Sequence, residues 1–142
     1  MPHDVVLKAM NGVHRFLVSA TGGRIGWEFG GMPALELTTI GRKSGQKRSV
    51  MLTVPLVEGD TYVVVASRGG DDVHPAWYLN LRANPEVEVS LQGGPTETWR
   101  AAVASPEERA RMWPLIADKY RNYRGYQERT QREIPLVLLT RA

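Results

Sequence analysis

The sequence predicts a small antiparallel β-barrel with helical decoration, a mainly β fold of the α+β kind. Three observations predict it. Short apolar or alternating runs recur from Leu35 onward, tight-turn signals separate them, and the clearest helix signals in that stretch fall late. At 142 residues the chain is sized for a domain that buries its own core.

The elements follow in order. Residues 4–19 carry Val6, Met10, Val13 and Leu17 at helical spacing, with Lys8 and Arg15 on other faces, which reads as an amphipathic helix. Packing on the domain is the favoured role for it; lying on a membrane or forming a substrate lid competes. Gly22, Gly23, Gly26, Gly30 and Gly31 loosen a connector that ends at Pro33. Residues 1–33 are thus read as helix plus connector, and residues 34–142 as the barrel domain.

Leu35, Leu37 and Thr39 alternate with polar neighbours, and Val50 to Val57 forms a second β-rich run. Glu58-Gly59-Asp60 is a tight-turn signal, and Tyr62 to Ala66 is apolar throughout, as a buried strand requires. Three strands joined by short turns read as a meander. Pro75 to Ala83 reads as a short helix stopped by Asn84-Pro85. Val87, Val89 and Leu91 alternate again, and Gly93-Gly94-Pro95 turns the chain into a partner strand, Thr96 to Val103. Ser105-Pro106-Glu107-Glu108 starts a helix: serine caps, proline fits the first helical position, and Glu108 completes a capping box. That helix runs to about Tyr120 and resumes after Asn122 to about Thr130; Pro135 then opens a last strand, Leu136 to Thr140.

Composition excludes several chemistries. The chain has no cysteine, so neither a disulfide nor a thiolate metal site is available. His3, His14 and His74 show no ligand spacing, so no metal site is expected. No apolar run approaches the roughly 18 residues of a membrane span, and the start lacks the apolar stretch of a signal peptide. The cytoplasm is the default location, with membrane association through residues 4–19 the competing reading. A sequence pI near 9.4 would suit an anionic partner. The basicity is local, however. Gly41-Arg42-Lys43-Ser44-Gly45-Gln46-Lys47-Arg48 holds four cations; without them 14 Lys+Arg face 15 Asp+Glu, and the net charge of +3 becomes −1. A nucleic-acid-binding face is therefore not expected.

Three segments carry candidate chemistry. The first is that basic turn, which is either a solvated hairpin tip or an anion site of fixed charge, forked donors and exposed N–H groups. The second is Ala66-Ser67-Arg68-Gly69-Gly70, leading into His74-Pro75-Ala76-Trp77-Tyr78-Leu79-Asn80-Leu81. It is either an ordinary turn with core aromatics or a second anion-binding loop at a helix start. If the two loops meet, they make one cationic groove. The third is Tyr120, Tyr123 and Tyr126, spaced to share one side of a helical turn. Packing is the commoner use of such a stripe. Gly125 and the interleaved arginines make a poor core helix, and tyrosines lining a pocket over a flat ring explain the pattern better.

Taken in order, Leu37 to Gln46, Ala66 to Gly70, His74 to Leu81 and Ala83-Asn84-Pro85 resemble the deazaflavin-dependent nitroreductase family, from about Leu35 to the C-terminus. The resemblance includes the Trp113-Pro114 helix and the tyrosine triplet. It implies an antiparallel split β-barrel of the FMN-binding, pyridoxamine-phosphate-oxidase-like kind that uses coenzyme F420. It implies that Arg42, Lys43, Ser44 and Arg48 hold the coenzyme's phosphate and oligoglutamate tail, and that Ser49, Val50, Met51, Leu52 and Thr53 continue along it. Val65, Ala66, Ser67 and Arg68 would lie beside the deazaflavin ring, with Ala76, Trp77, Tyr78, Leu79 and Asn80 at the helix start that contacts the coenzyme. Tyr123 would serve coenzyme and acceptor alike; Thr53, Ser67, Tyr120 and Tyr126 would line the acceptor pocket. Ser67 and Tyr126 are the candidate catalytic groups, as donors or orienters of a proton. Arg68 departs from the usual lysine, Lys47 from a common proline and Thr53 from a pocket tyrosine; the last puts the substrate in question more than the coenzyme.

The expected activity is hydride transfer from reduced F420 to a quinone, an activated alkene or a nitroaromatic compound. Alternatives are an FMN-dependent split-barrel oxidoreductase, or a carrier that binds F420 or a lipophilic ligand without turnover. The expected partner is a small-molecule acceptor, with no nucleic acid; a homodimer and a peripheral membrane contact stay open.

Overall fold

The computed structural model describes residues 28–29 and 32–142. The helix expected over residues 4–19 and the connector glycines up to Gly31 lie outside the described residues. Among the described residues the chain forms eight strands and three α-helices. The strands are β1 (Glu28–Phe29), β2 (Met32–Ile40), β3 (Lys47–Thr53), β4 (Leu56–Glu58), β5 (Thr61–Val65), β6 (Glu86–Leu91), β7 (Thr96–Val103) and β8 (Leu136–Arg141). The helices are α1 (Ala76–Ala83), α2 (Pro106–Lys119) and α3 (Arg121–Glu128), and a single 3-10 turn spans Arg68–Gly70.

All ladders are antiparallel, in the order β1-β2-β6-β7-β8-β5-β4, with β3 also paired to β2. The curled sheet does not close: among the described residues no ladder joins β3 to β4, so the barrel is split there. The β-rich run Val50 to Val57 is consequently two strands. Val54 N–H still donates to Pro33 O at 2.8 Å, opposite it in the β2–β3 register, but Pro33 has no N–H to return and Pro55 has none to carry the ladder on. The three-strand meander expected from the sequence is corrected accordingly. β3 pairs only with β2, from Ala34↔Thr53 to Ile40↔Lys47, whereas β5 pairs with β4 and β8. Met32 and Pro33, read as the end of the connector, are strand residues of β2.

Two apolar layers explain the run from Tyr62 to Ala66. Val64 and Ala66, with Val137 and Leu139, face the barrel interior among Leu35, Leu37, Val87, Val89 and Trp99, and α1 plugs that interior with Trp77, Tyr78 and Leu81. Val63, Val65 and Leu136 face the opposite way, beneath Met112 and Ile116 of α2 and Tyr123 of α3. Both sides of β5 and β8 are covered, so neither strand can alternate apolar with polar. Each such side chain contributes about 1.5–3 kcal/mol by leaving water. Trp99, fully buried, meets Tyr62 edge-to-face at 5.3 Å, with the Arg141 guanidinium 4.7 Å from its ring centre.

α2 begins where the capping box places it. The Ser105 hydroxyl accepts from the Glu108 N–H at 3.1 Å, and the Glu108 carboxylate accepts from the Ser105 N–H at 2.9 Å. Arg111 forks onto both oxygens of Glu58 at 2.8 Å, tying α2 to β4 and holding the Glu58 carboxyl below its ordinary range through that hydrogen bond. Tyr120, extended at φ −126°, separates α2 from α3, which resumes at Arg121, a little earlier than its sequence suggests.

Candidate functional site

Residues 41–46 join β2 to β3, and residues 42–48, into the start of β3, are exposed. Gly41 N–H donates to Gln46 O and Gly45 N–H to Gly41 O, both at 2.8 Å, while the Ser44 hydroxyl accepts from the Gln46 N–H at 3.2 Å. A Cβ at Gly41 would sit 2.6 Å from Ser44 Oγ and 3.3 Å from Gln46 O, so any other residue there would displace the serine hydroxyl. Gly45 takes φ +73°, a conformation side chains disfavour.

The turn is latched to α1 by a buried amide. Asn80 is 4 % exposed; its Oδ1 accepts from the Arg42 backbone N–H at 3.1 Å and from Arg42 Nη1 at 3.3 Å, and its Nδ2 donates to Thr39 Oγ1 at 3.2 Å. Lys47 pairs with Glu88 at 2.9 Å. Among the described residues no carboxylate lies within ion-pair distance of Lys43 or Arg48. Both cations are exposed.

The Ser67–Gly70 turn is closed by comparison. Ser67 is buried, Arg68 takes φ +46°, and the Arg68 guanidinium pairs with Asp71 at 2.7 Å, both side chains mostly buried. Arg132, from beyond α3, reaches back into this loop. Its Nη2 donates to Ser67 O at 2.8 Å, its Nε to Asp71 O at 2.8 Å, and its Nη1 faces Ala66 O at 3.3 Å and His74 Nδ1 at 3.1 Å. Arg129 donates to Gly69 O at 3.3 Å, and the Thr130 hydroxyl to Asp72 at 2.7 Å. Burial, Arg132 and Arg82 push the His74 pKa below its ordinary value. The expected merger of both loops into one cationic groove is therefore altered: Arg68 is neutralised by Asp71 within its own loop.

The tyrosines gather as the spacing suggests. Tyr120–Tyr123 and Tyr123–Tyr126 are edge-to-face pairs at 6.4 and 5.9 Å. Tyr123 is buried with Met32, Val65 and Leu136, and its hydroxyl meets Thr53 Oγ1 at 2.8 Å and Met32 Sδ at 3.6 Å. Burial raises its pKa more than the Thr53 bond lowers it, so the phenol stays protonated at neutral pH. Gly70, at φ +84°, lies against the Tyr126 backbone: a Cβ would meet Tyr126 O at 2.7 Å.

Three contacts thus join the sequence-predicted residues. Arg42–Asn80 ties the basic turn to α1, Thr53–Tyr123 ties β3 to α3, and Gly70–Tyr126 ties the glycine turn to α3. Val50 and Leu52 are half-buried against the barrel core, Met51 packs on Ala34, and the Ser49 hydroxyl meets Thr38 at 2.7 Å. Trp77 and Tyr78 are core aromatics, Leu79 is half-buried, and Ala76 is exposed. Arg132, Arg129, Thr130 and Met32 were missed from the sequence. In Arg129 to Glu133 nothing periodic separates an inward arginine from a solvated one.

A sequence profile described as "F420H(2)-dependent quinone reductase" matches residues 12–141. A protein named F420H(2)-dependent quinone reductase from Mycobacterium tuberculosis is 41% identical over 134 residues, covering 91% of this chain and 88% of that protein. A solved F420-H2 dependent reductase (FDR-A) is 40% identical, superposes with a TM-score of 0.65, and covers 75% of this chain and 93% of its own. A second structure, described as a domain-swapped dimer, is 35% identical with a TM-score of 0.65 and covers 98% and 99%. A pyridoxinephosphate-oxidase-family protein from Clostridium acetobutylicum shares the fold alone, at 11% identity and a TM-score of 0.55 over 90% of this chain and 84% of its own.

Proposed function

The chain belongs to the F420H(2)-dependent quinone reductase family, and from that premise we propose that its acceptor is a quinone, with activated alkenes and nitroaromatics as further acceptors. It is an F420H2-dependent oxidoreductase on a split barrel. The family match gives no support to FMN as the alternative cofactor.

One observation carries the site assignment. Lys43, on the turn held by Ser44 and the Asn80 latch, and Arg48, at the start of β3, are exposed without carboxylate partners among the described residues. That donor set fits a flexible polyanion: two exposed cations, a serine and a turn that need not close around the ligand. In this reading Arg42, Lys43, Ser44 and Arg48 hold the phosphate and glutamate tail, and β3 from Ser49 to Thr53 continues the site. Asn80 acts through Arg42, since its amide is engaged within the protein. Val65, Ala66, Ser67, Arg68 and the start of α1 border the ring.

When bound, the coenzyme supplies the hydride from carbon C5 of its reduced ring. The chain's own groups do the rest. Tyr120, Tyr123 and Tyr126 wall the acceptor pocket and exclude water. The protonated Tyr123 hydroxyl, oriented by Thr53, donates a hydrogen bond into a setting that Met32 keeps apolar. Ser67 and Tyr126 supply or orient the proton that accompanies reduction.

Residues 34–142, with the β2 residues Met32 and Pro33 that precede them, form the coenzyme-binding domain in this reading. The proposed assembly is a homodimer, by likeness to the domain-swapped relative. No helix among the described residues is long and apolar enough to cross a membrane; the proposed location is the cytoplasm, with residues 4–19 as the surface for a membrane-dissolved quinone.

The test is titration of the purified protein with F420 and with FMN, followed by fluorescence, then oxidation of reduced F420 by a quinone panel. F420 binding with turnover on quinones is expected. Tight binding of FMN alone, or F420 binding without turnover on any acceptor, contradicts the proposal.

A further inference from the structure

Arg132 lies just past α3, about sixty residues along the chain from the 66–74 loop, yet it is heavily committed to that loop's backbone. It contacts the carbonyls of Ala66, Ser67 and Asp71 and the ring nitrogen of His74. The carbonyl contacts have a directional consequence. In a trans peptide the N–H points opposite to the C=O, and the described residues contain no cis bond. Turning the Ala66 and Ser67 carbonyls onto Arg132 therefore turns the N–H groups of Ser67 and Arg68 away from it. The same clamp spans a strained stretch, with Arg68 at φ +46°, Gly69 at φ +65° and Gly70 at φ +84°. A non-glycine residue persists in that region only where its surroundings fix it.

From this geometry we infer that Arg132 is a positioning residue: it clamps the strand end at Ala66 and Ser67 so that the Ser67–Arg68 turn is held ready for the coenzyme. The inference rests on the reading of Ser67 and Arg68 as coenzyme contacts. Arg129 on Gly69 O and Thr130 on Asp72 brace the loop's far end, so residues 129–132 act as one strap across it. Lysine cannot substitute, because one ammonium cannot reach three carbonyls in the planar fork that guanidinium offers. His74 completes the clamp only when neutral, with the Nδ1 lone pair facing Arg132. Among the described residues the groups around it are Arg132, Arg82 and the stacked Tyr78 ring, while Asp71, Asp72, Arg68 and Tyr78 act on Arg132. Burial and the two arginines keep His74 neutral. A proton gained there would set a positive charge against the guanidinium.

The experiment compares wild type, Arg132→Lys, His74→Phe and the remote control Arg111→Lys. Amide hydrogen exchange is read on the coenzyme-free protein, and F420 affinity by fluorescence titration. Arg132→Lys is expected to speed exchange at Ser67 to Asp71 about tenfold, to leave α2 amides unchanged, and to weaken F420 about tenfold. His74→Phe keeps the ring against Tyr78 and removes one acceptor, so about a threefold weakening is expected. It also abolishes the loss of loop protection that wild type shows as pH drops from about 7.5 to about 5.5. Arg111→Lys moves neither readout. Faster exchange with unchanged F420 affinity in Arg132→Lys overturns the inference, as does weakened affinity with unchanged exchange. Failure of wild type itself to bind F420 overturns the underlying site reading, and is told apart because all four proteins then fail together.

Discussion

The turn at residues 41–48 and the loop at residues 66–74 look alike in composition: each follows a strand, and each carries arginine and glycine. Folded, they are opposites. In the first, Lys43 and Arg48 are exposed with no carboxylate beside them among the described residues, while Asn80 holds Arg42 and Glu88 pairs with Lys47. In the second, Arg68 is paired with Asp71, and carbonyls from Ala66 to Asp71 are covered by Arg129 and Arg132. Charge counted along a chain is not charge offered to a ligand. The open turn can follow a flexible anionic tail, and the closed loop can present a fixed edge to a rigid ring.

Glycine substitutions separate the two regions most sharply. Gly70→Ala adds the strain of φ +84° to a Cβ lying 2.7 Å from Tyr126 O and 2.9 Å from Tyr126 Cα, both backbone. About 3 kcal/mol of stability should be lost. Gly45→Ala carries similar strain at φ +73° but meets nothing within 4 Å. It should lose about 1 kcal/mol. Urea unfolding of both proteins without coenzyme measures the gap, and equal losses would mean that the loop at 66–74 is as open as the turn.

Asn80→Ala strikes the buried latch of the open turn. It removes a buried amide from Arg42 and strips Thr39 Oγ1 of its donor, so about 2 kcal/mol should disappear from the urea-derived stability. Thr53→Val removes the partner of the Tyr123 hydroxyl, leaving only the weaker Met32 sulfur, and should cost about 1 kcal/mol. The same variant tests the pocket: Thr53 ends the coenzyme strand and lines the acceptor pocket, so KM for quinones should change more than F420 affinity. A change confined to F420 affinity would remove Thr53 from the acceptor pocket.

The smallest effect is one of pH. The His74 pKa is depressed in the folded state, so the fold prefers the neutral ring. Its contribution to stability is complete above the ordinary value of 6.5 and is lost as pH falls through the depressed folded value. Wild type should therefore lose more stability than His74→Phe between about pH 7.5 and about pH 5.5. Parallel losses in the two proteins would show that His74 does not face Arg132 as a neutral ring.

Much of this was legible in the sequence, for reasons that can be named. Leu35, Leu37, Val87 and Val89 alternate because one face of β2 and β6 meets the barrel core, and Tyr62 to Ala66 does not alternate because both faces of β5 are covered. Ser105 and Glu108 announce α2 because capping is a local transaction between residues three apart. The break at Val54 was hidden, since it depends on which residue of β2 lies opposite, and that residue, Pro33, has no N–H to return. Arg132 was hidden for the same reason. Its acceptors are backbone carbonyls about sixty residues away, and a carbonyl leaves no mark in an amino-acid sequence. The basic turn stood out as a candidate because its cations cluster within eight residues; the neutralisation of Arg68 did not, since Asp71 reads equally well as a solvated turn residue.

The central claim is that the open turn, and not the closed loop, meets the coenzyme's anionic tail. The direct measurement is the affinity of F420 species with long and short glutamate tails for wild type and for the Lys43→Gln/Arg48→Gln double variant, at fixed salt. Wild type should favour the longer tail by about tenfold, two exposed charge contacts at about 0.7 kcal/mol each, and the double variant should bind both species almost equally. An unchanged preference for the longer tail in the double variant would contradict the claim and place the tail elsewhere on the barrel.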